Sequence, residues 1–392
     1  MSGSSTPALR LAPLALAYAS LFALGVSDNA RGALFPELLA DLELGDAAGS
    51  LLFAVTSAGV IAGSLGSRRL LGRLGVRTLL QVSLLVMGLG LLALAAVGGL
   101  AEVLGVSLVF GVGLGGLALA QNMMVEQSAP PELRRRAFAG LHAMYAVSSL
   151  LAPLVVAAVY RAGGTWRSGL VWLAPASFLV LVAAWGVPPV GGRERSREAA
   201  GEAEPSGSKT PLGLGPWLIA FSTGGAVVAE LLISTRLPLL LQREGLAPEP
   251  AKLYLSAFFA CLLAGRLFVT LVPLRLGNRA LLTISAGGAL GFFAAGLAYE
   301  PRLLPLVALF LAPFFPVATD LLAEEHLEHL DRGISLTMAC VSLLLIPAHI
   351  GVGALSEVIG LRRALAIGPA ALVLALLLIG WSARRAARAR DT

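Results

Sequence analysis

Apolar segments dominate this chain, and twelve of them approach the length of about 20 residues that a helix needs to cross a bilayer. Hydrophobic residues make up 57% of the chain and charged residues only 13%, with a mean hydropathy of +0.83. So few polar residues cannot cover the surface of a soluble globule. The predicted segments are 11–37, 46–67, 78–98, 103–127, 137–159, 167–188, 213–240, 251–272, 280–298, 303–323, 334–356 and 364–383. The sequence therefore predicts an all-α membrane protein with twelve transmembrane helices.

A short basic motif occurs twice, each time just after a long apolar segment. Its residues are Arg73, Gly75 and Arg77 in the first copy and Arg275, Gly277 and Arg279 in the second. The same spacing places Asp28 opposite Glu230 in the first segment of each half. Internal repeats of this length indicate a duplicated membrane fold. We therefore predict two six-helix bundles related as parallel repeats.

The composition changes between the two halves. Residues 189–212 carry charges, Gly, Ser and Pro without apolar periodicity, which is typical of a flexible linker. We predict an N-terminal bundle at 1–188, a cytoplasmic linker at 189–212, and a C-terminal bundle with a basic tail at 213–392.

Basic residues predict the orientation. Most Lys and Arg residues fall on one side if both termini are inside, which agrees with the positive-inside rule. We expect a multi-pass protein of the inner (plasma) membrane of a prokaryote, with both termini cytoplasmic. The basic residues lie in short loops beside helix ends, so the net charge of +6 indicates contact with the lipid bilayer and not with nucleic acid.

At this point the motifs carry a family resemblance. Two six-span halves, a long central loop and basic glycine-containing loops resemble the major facilitator superfamily over the whole chain. The superfamily's loop signature is kept as Arg73, Gly75 and Arg77. The resemblance implies transport by alternating access, in which rocking halves expose a central site to each side in turn.

Several shorter pieces resemble the fucose permease group of proton symporters within that superfamily. They are Ala229-Glu230 followed by Leu237-Pro238-Leu239, Leu311 to Pro316, and Gly113-Leu114-Gly115 with Asn122. The resemblance implies a sugar substrate and places Asp28 where the group has an acidic first-helix residue. Ala118 stands where that group has a fourth-helix glutamate.

Asp28 and Glu230 are the candidate coupling residues. A charge near the membrane centre is costly, so such residues usually face a wet cavity or a partner. Arg31 follows Asp28 by three positions on the same helix face, so a purely structural ion pair is the alternative for Asp28. Glu230 and Arg236 lie about 1.7 helical turns apart and therefore face different sides of one helix.

Other polar residues in the apolar segments are candidates for binding the substrate. They are Asn29, Arg31, Gln121, Asn122, Tyr145 and Arg236. For Arg236 the alternative is snorkelling to the outer interface, and for Gln121 and Asn122 it is a hydrogen bond between helices.

Four further residues are candidates for a gate or for interhelical contacts: His142, Arg266, Asp320 and His349. A structural pair between Asp320 and Arg266 is one reading, and an inner gate is the other. A lone histidine in a membrane helix is more often a hydrogen-bonding partner than a proton relay.

Catalytic and metal-binding motifs are missing from the sequence. It has no Gly-x-Ser-x-Gly elbow, Walker loop or dinucleotide-binding motif, so we predict neither an enzyme nor a cofactor. His326 and His329 lie among glutamates, but without a matching ligand cluster they indicate a solvated loop and no metal site. Glycines at 59, 63, 66, 111, 113 and 115 are expected to permit close helix approach.

These features predict a secondary active transporter that moves a small polar solute, with a sugar as first choice, and that couples to a proton or another ion. The alternative is a proton-driven exporter of amphipathic compounds. We expect the transporter to work as a monomer.

Overall fold

A computed structural model describes residues 9–190, 212–272, 275–326 and 330–390. These residues form helices joined by short connections, with no β-strand among them. Nearly all of the predicted linker, and His329, lie outside the described residues. The predicted all-α fold is confirmed.

Seven helices lie in the described residues 9–190. They are α1 (Leu11–Asp41), α2 (Asp46–Leu74), α3 (Val76–Ala96), α4 (Leu100–Ser128), α5 (Pro131–Arg161), α6 (Trp166–Leu173) and α7 (Pro175–Trp185).

The described helices after the linker are α8 (Leu214–Arg243), α9 (Pro248–Leu271), α10 (Asn278–Ala298), a 3-10 turn (Pro301–Leu303), α11 (Pro305–Leu311), α12 (Phe314–Glu325), α13 (Leu330–Ile359), α14 (Leu361–Ala364) and α15 (Ile367–Arg390).

Twelve spans of the described chain are long and apolar enough to cross a membrane, which agrees with the predicted number. The sixth span, Trp166–Trp185, consists of α6 and α7, and α7 begins at Pro175. The tenth, Pro301–Glu325, is interrupted beside Pro313. Proline fits the first turn of a helix because its missing N–H would have no intrahelical acceptor there.

The chain forms two compact units. The first consists of Met1–Ala30 and Val55–Glu204, and the second of Arg31–Ala54 and Pro205–Thr392. The end of α1 and the beginning of α2 thus pack with the later helices, although they belong to the first half of the sequence. The bundle boundaries proposed above stay a prediction.

Glycines bring α2 and α4 together in the first unit. A Cβ added to Gly63 would lie 2.2 Å from the Val112 carbonyl oxygen, and one on Gly115 would lie 2.2 Å from the Val60 carbonyl oxygen. Real Cβ atoms do not approach that closely, so only glycine permits this helix spacing. The predicted packing role is confirmed here, but Gly66 has open space around its Cβ position.

In the second unit α8 is the central helix, packed against α13 and α15 and buried along most of its length. A Cβ on Gly32 of α1 would lie 2.5 Å from the Ser234 carbonyl oxygen of α8. A Cβ on Gly265 of α9 would lie 2.3 Å from the Leu309 carbonyl oxygen of α11. Small residues therefore set helix spacing in both units.

The two copies of the basic motif differ in backbone conformation. Gly75, between α2 and α3, has φ 77° and ψ 163°, a region open essentially to glycine alone. Gly277, before α10, has φ −68° and ψ 155°, which any residue adopts. The glycine is conformationally required only in the first copy.

Candidate functional site

Asn29 of α1 links two helices of the first unit. Its Nδ2 donates to the Gly25 carbonyl oxygen at 2.8 Å and to Ser149 Oγ on α5 at 2.9 Å. Ser149 Oγ in turn donates to the Tyr145 carbonyl oxygen at 2.7 Å. The buried amide of Asn29 thus has an interhelical role in this structure, and a contact with substrate stays a prediction.

The two neighbouring amides of α4 have different environments. Gln121 is buried, and its Oε1 accepts a hydrogen bond from Ser20 Oγ at 3.3 Å. Asn122 is exposed, and its Nδ2 donates to the Ala118 carbonyl oxygen of its own helix at 2.8 Å. The structure does not place them on one face, because successive residues of a helix point in different directions.

The other candidates of the first unit lie on α1 and α5. Asp28 and Tyr145 are half-buried and His142 is exposed. The ion pair proposed between Asp28 and Arg31 stays a prediction.

Arg236 and His349, selected separately from the sequence, meet in the second unit. Arg236 Nη1 lies 2.9 Å from His349 Nδ1, and Nη2 donates to Ser50 Oγ at 3.0 Å. Arg236 also hydrogen-bonds Thr235 Oγ1 and the His349 carbonyl oxygen. Its side chain is 1% exposed, so it does not snorkel to the interface. The sequence could not identify these partners because they lie on α2 and α13.

The Phe53 ring lies beside both members of this pair. Phe53 of α2 stacks on His349 with ring centroids 5.3 Å apart, and Phe35 contacts Phe53 edge-on at 4.9 Å. The guanidinium carbon atoms of Arg236 and Arg31 lie 5.4 and 5.8 Å from the Phe53 centroid, within the range of cation–π attraction.

Glu230 is half-buried on α8, one and two-thirds turns before Arg236. The charge that acts on it is Arg266 of α9, through a Coulombic interaction. No described residue donates a hydrogen bond to its carboxylate. Asp320 is exposed on α12, and the pair proposed between Asp320 and Arg266 stays a prediction.

A second polar cluster, which sequence analysis missed, surrounds Asp46 at the start of α2. Both Asp46 oxygens accept from Arg243, each at 2.6 Å, and Ser356 Oγ also donates to Asp46. Glu357 Oε1 accepts from the Ala47 backbone N–H at 3.0 Å. These charges lie at predicted helix ends, where solvated residues are expected, so no sequence signal marked them.

The buried pair between Lys252 and Glu37 was also missed. Lys252 of α9 is completely buried and donates to Glu37 Oε1, which also accepts from Gln242 Nε2 at 2.9 Å. Both residues lie at the ends of their predicted spans, where the sequence does not distinguish a buried charge from a solvated one.

The basic motifs hold helix ends in both units. Arg77 Nη2 donates to the Trp185 carbonyl oxygen at 2.9 Å. In the second copy Arg279 Nη2 pairs with Glu325 Oε2 at 2.7 Å and donates to Ser382 Oγ at 3.1 Å. Arg73 and Arg275 are exposed.

Comparison with known proteins agrees with this architecture. Twelve candidate spans define a multi-pass membrane protein. The family model described as Major Facilitator Superfamily matches residues 17–326, and the chain belongs to that superfamily. The family indicates a transporter and not an enzyme. No curated protein matches the chain.

Solved structures of the same fold include sugar and nucleoside transporters. A bacterial homologue of the human lysosomal transporter Spinster, inward-facing and unoccupied, has a TM-score of 0.76 at 13% identity, covering 96% of this chain and 98% of that one. The xylose transporter XylE from E. coli, in a partially occluded inward-open conformation, has a TM-score of 0.73 at 16% identity, covering 94% and 98%. The nucleoside transporter NupG has a TM-score of 0.71 at 15% identity, covering 95% and 99%. The resemblance to the fucose permease group stays a prediction.

Proposed function

We propose that this protein is a secondary transporter that carries a small polar solute by alternating access and couples its movement to protons. A sugar or a nucleoside is the substrate class that we favour. The xylose and nucleoside transporters of the same fold support that choice, although identities of 16% and 15% show the fold alone.

Glu230 is the observation that carries the coupling part of the proposal. Its carboxylate is half-buried in a membrane-spanning helix, accepts no hydrogen bond from the described residues, and experiences the charge of Arg266. A carboxylate in this position is costly as a structural element and is able to take up and release a proton. Asp28, at the matching position of the first half, is the second proposed coupling residue.

The proposed polar groups for the substrate remain Asn29, Arg31, Gln121, Asn122, Tyr145 and Arg236. The hydrogen bonds of Asn29 to Ser149 and of Gln121 to Ser20 hold these amides in fixed orientations. Fixed amides suit the recognition of hydroxyl groups, because their remaining atoms bind without further loss of side-chain entropy. In Asn29 the remaining atom is the acceptor Oδ1, since both Nδ2 donors are used within the protein.

The proposal is tested in proteoliposomes by recording pH after addition of pentoses, hexoses, nucleosides, organic acids and amphipathic cations. Wild type is compared with Asp28→Asn and Glu230→Gln. Glu102→Gln is the matched control, because Glu102 is an exposed carboxylate in the first turn of α4 whose contact is the Gly98 backbone N–H.

We expect one polar solute to drive a proton flux that is lost in Glu230→Gln and kept in Glu102→Gln. Exchange of labelled solute without a pH gradient should persist in Glu230→Gln, because exchange needs no net proton movement. Proton flux that Glu230→Gln and Asp28→Asn both leave unchanged would contradict the coupling assignment. Flux driven only by amphipathic cations would favour the exporter.

A further inference from the structure

Arg236 differs in its partners from three other cations of the second unit. Lys252, Arg243 and Arg279 each contact a carboxylate. Among the described residues, Arg236 hydrogen-bonds only neutral groups, although it is 1% exposed. Asp46 acts on it through a Coulombic interaction without a hydrogen bond. Because the partners of this buried guanidinium are neutral, a change in the protonation state of one of them alters the stability of the contact.

The contact with His349 fixes the state of that imidazole. A guanidinium has five N–H donors and no acceptor, so His349 Nδ1 must accept the hydrogen bond from Arg236 Nη1 at 2.9 Å. The ring is therefore neutral, with its proton on Nε2. His349 is 3% exposed and stacked on Phe53, so water does not readily replace the contact.

Cations on the surrounding helices oppose protonation of His349, because a protonated ring would add a positive charge beside them. Arg236 on α8 and Arg31 on α1 both act on the His349 ring. The carboxylate of α2, Asp46, is held by Arg243 and Ser356. On α13 itself, Glu357 lies about two turns further on and accepts from the Ala47 backbone. No carboxylate among the described residues contacts the ring to compensate a proton.

The Arg236–His349 contact also joins separate parts of the chain. Arg236 bridges α8 to Ser50 of α2 and to His349 of α13. A Cβ added to Gly353, one turn after His349, would lie 2.5 Å from Ser50 Oγ, so α13 and α2 touch at this level. We call these residues, Ser50, Phe53, Arg236 and His349, the arginine junction.

We propose that the arginine junction is proton-operated, and that uptake of a proton by His349 separates α2 from α8 and α13. Protonation replaces the Nδ1 lone pair with an N–H that points at the guanidinium. The hydrogen bond is then lost, and two cations face each other in a buried site. The closed junction and a charged His349 are mutually exclusive.

The direction of the pH effect follows from proton binding. The closed junction holds one proton fewer than the open one, so acid favours opening and alkali favours closure. This inference rests on the proposed function for one point only, its role in transport. Opening and closing of this part of the fold would link proton uptake to movement of the solute. The structural response itself requires no substrate.

A distance measurement tests the proposal in detergent or nanodiscs. Spin labels on Ala48→Cys and Val358→Cys report separation of the start of α2 from α13, since Ala48 is half-buried on α2 and Val358 is exposed on α13. The background carries Cys261→Ala and Cys340→Ala, which removes the native thiols. In wild type we expect the ratio of long to short distances to rise as pH falls, by up to about tenfold per pH unit for one proton.

His349→Asn is the decisive variant, because the asparagine amide oxygen takes the place of Nδ1 as acceptor and does not titrate. We expect it to keep the short distance at every pH. His326→Asn is the matched control, since His326 lies at the end of α12, outside the junction, and this variant should respond as wild type does. A distance distribution in wild type that does not change with pH, or a pH response that persists in His349→Asn, would overturn the proposal.

Nitrogen NMR of labelled histidine gives an independent measurement. The chain has only four histidines, and the signal of His349 is the one absent from His349→Asn. We expect an unprotonated Nδ1 and a protonated Nε2 at alkaline pH, with proton uptake in the pH range where the distance changes. A protonated Nδ1 at alkaline pH would contradict the junction, whereas a failed transport assay would leave both measurements unaffected.

Discussion

Arg243 Nη1 and Nη2 each donate a 2.6 Å hydrogen bond to a different oxygen of Asp46, which joins the end of α8 to the beginning of α2. Two parallel bonds of this kind fix direction as well as distance, because the planar guanidinium matches the carboxylate. Ser356 of α13 donates to the same carboxylate. Three helices of the second unit therefore meet at one side chain.

Replacing that carboxylate should weaken the second unit modestly. Asp46→Asn retains size but loses the charge-assisted pair, and Arg243 is 45% exposed, so solvent screens much of the interaction. We expect the free energy of unfolding to fall by about 1 kcal/mol. Denaturant titration of the purified protein in detergent measures it.

The exposed pair of Arg302 and Glu300 supplies the comparison. Its closest N···O distance is 3.8 Å, and both side chains are more than half exposed. We expect Arg302→Gln to change stability by less than Asp46→Asn does. Equal effects of the two substitutions would mean that the bidentate geometry contributes nothing.

Separating Lys252 from Glu37 should have a larger effect. Glu37→Gln leaves a completely buried ammonium without its carboxylate, which typically costs about 3–5 kcal/mol. Removing both charges in Glu37→Gln with Lys252→Met should recover most of that loss, since no unpaired charge remains. A double-mutant cycle on thermal unfolding measures the coupling, and additive effects would show that the two residues do not depend on each other.

Close packing of α2 against α4 predicts a position-specific effect of one methyl group. Gly63→Ala places a Cβ 2.2 Å from a carbonyl oxygen of α4 and should destabilise the first unit by about 1–3 kcal/mol. Gly66→Ala, one turn further along, meets open space and should be neutral. Unfolding of the two variants side by side checks the helix spacing, and a neutral Gly63→Ala would mean that the helices lie further apart.

The repeated glycines give a test of backbone conformation. Gly75→Ala forces a side chain into the region at φ 77°, ψ 163°, which should cost about 1–3 kcal/mol. Gly277→Ala lies at φ −68° and should be tolerated, since alanine adopts that conformation freely. Comparison of the unfolding midpoints of the two variants tests this prediction. If Gly277→Ala is as unstable as Gly75→Ala, the difference in backbone conformation is contradicted.

The sequence located membrane helices well because their signal is local. Apolar segments of sufficient length must be helical in lipid, where each backbone N–H and C=O needs a partner within the segment. Hence the twelve spans, and the packing role of glycines such as Gly63 and Gly115, followed from the residues themselves. Interruptions of the sixth and tenth spans, at Pro175 and Pro313, were not predicted, because a membrane helix accommodates proline in several ways.

Only the tertiary structure shows which polar side chains contact each other. The sequence identified Arg236 and His349 as unusual in apolar helices, since a charge or an imidazole there is costly whatever surrounds it. It did not show that they contact each other or that Ser50 completes the site, because these residues come from three helices that are distant in the chain. Lys252 and Glu37 were overlooked for the converse reason, since burial of a charge at a helix end depends on the neighbouring helices. Helix formation in lipid is a property of each segment, whereas pairing of charges is a property of the packed fold.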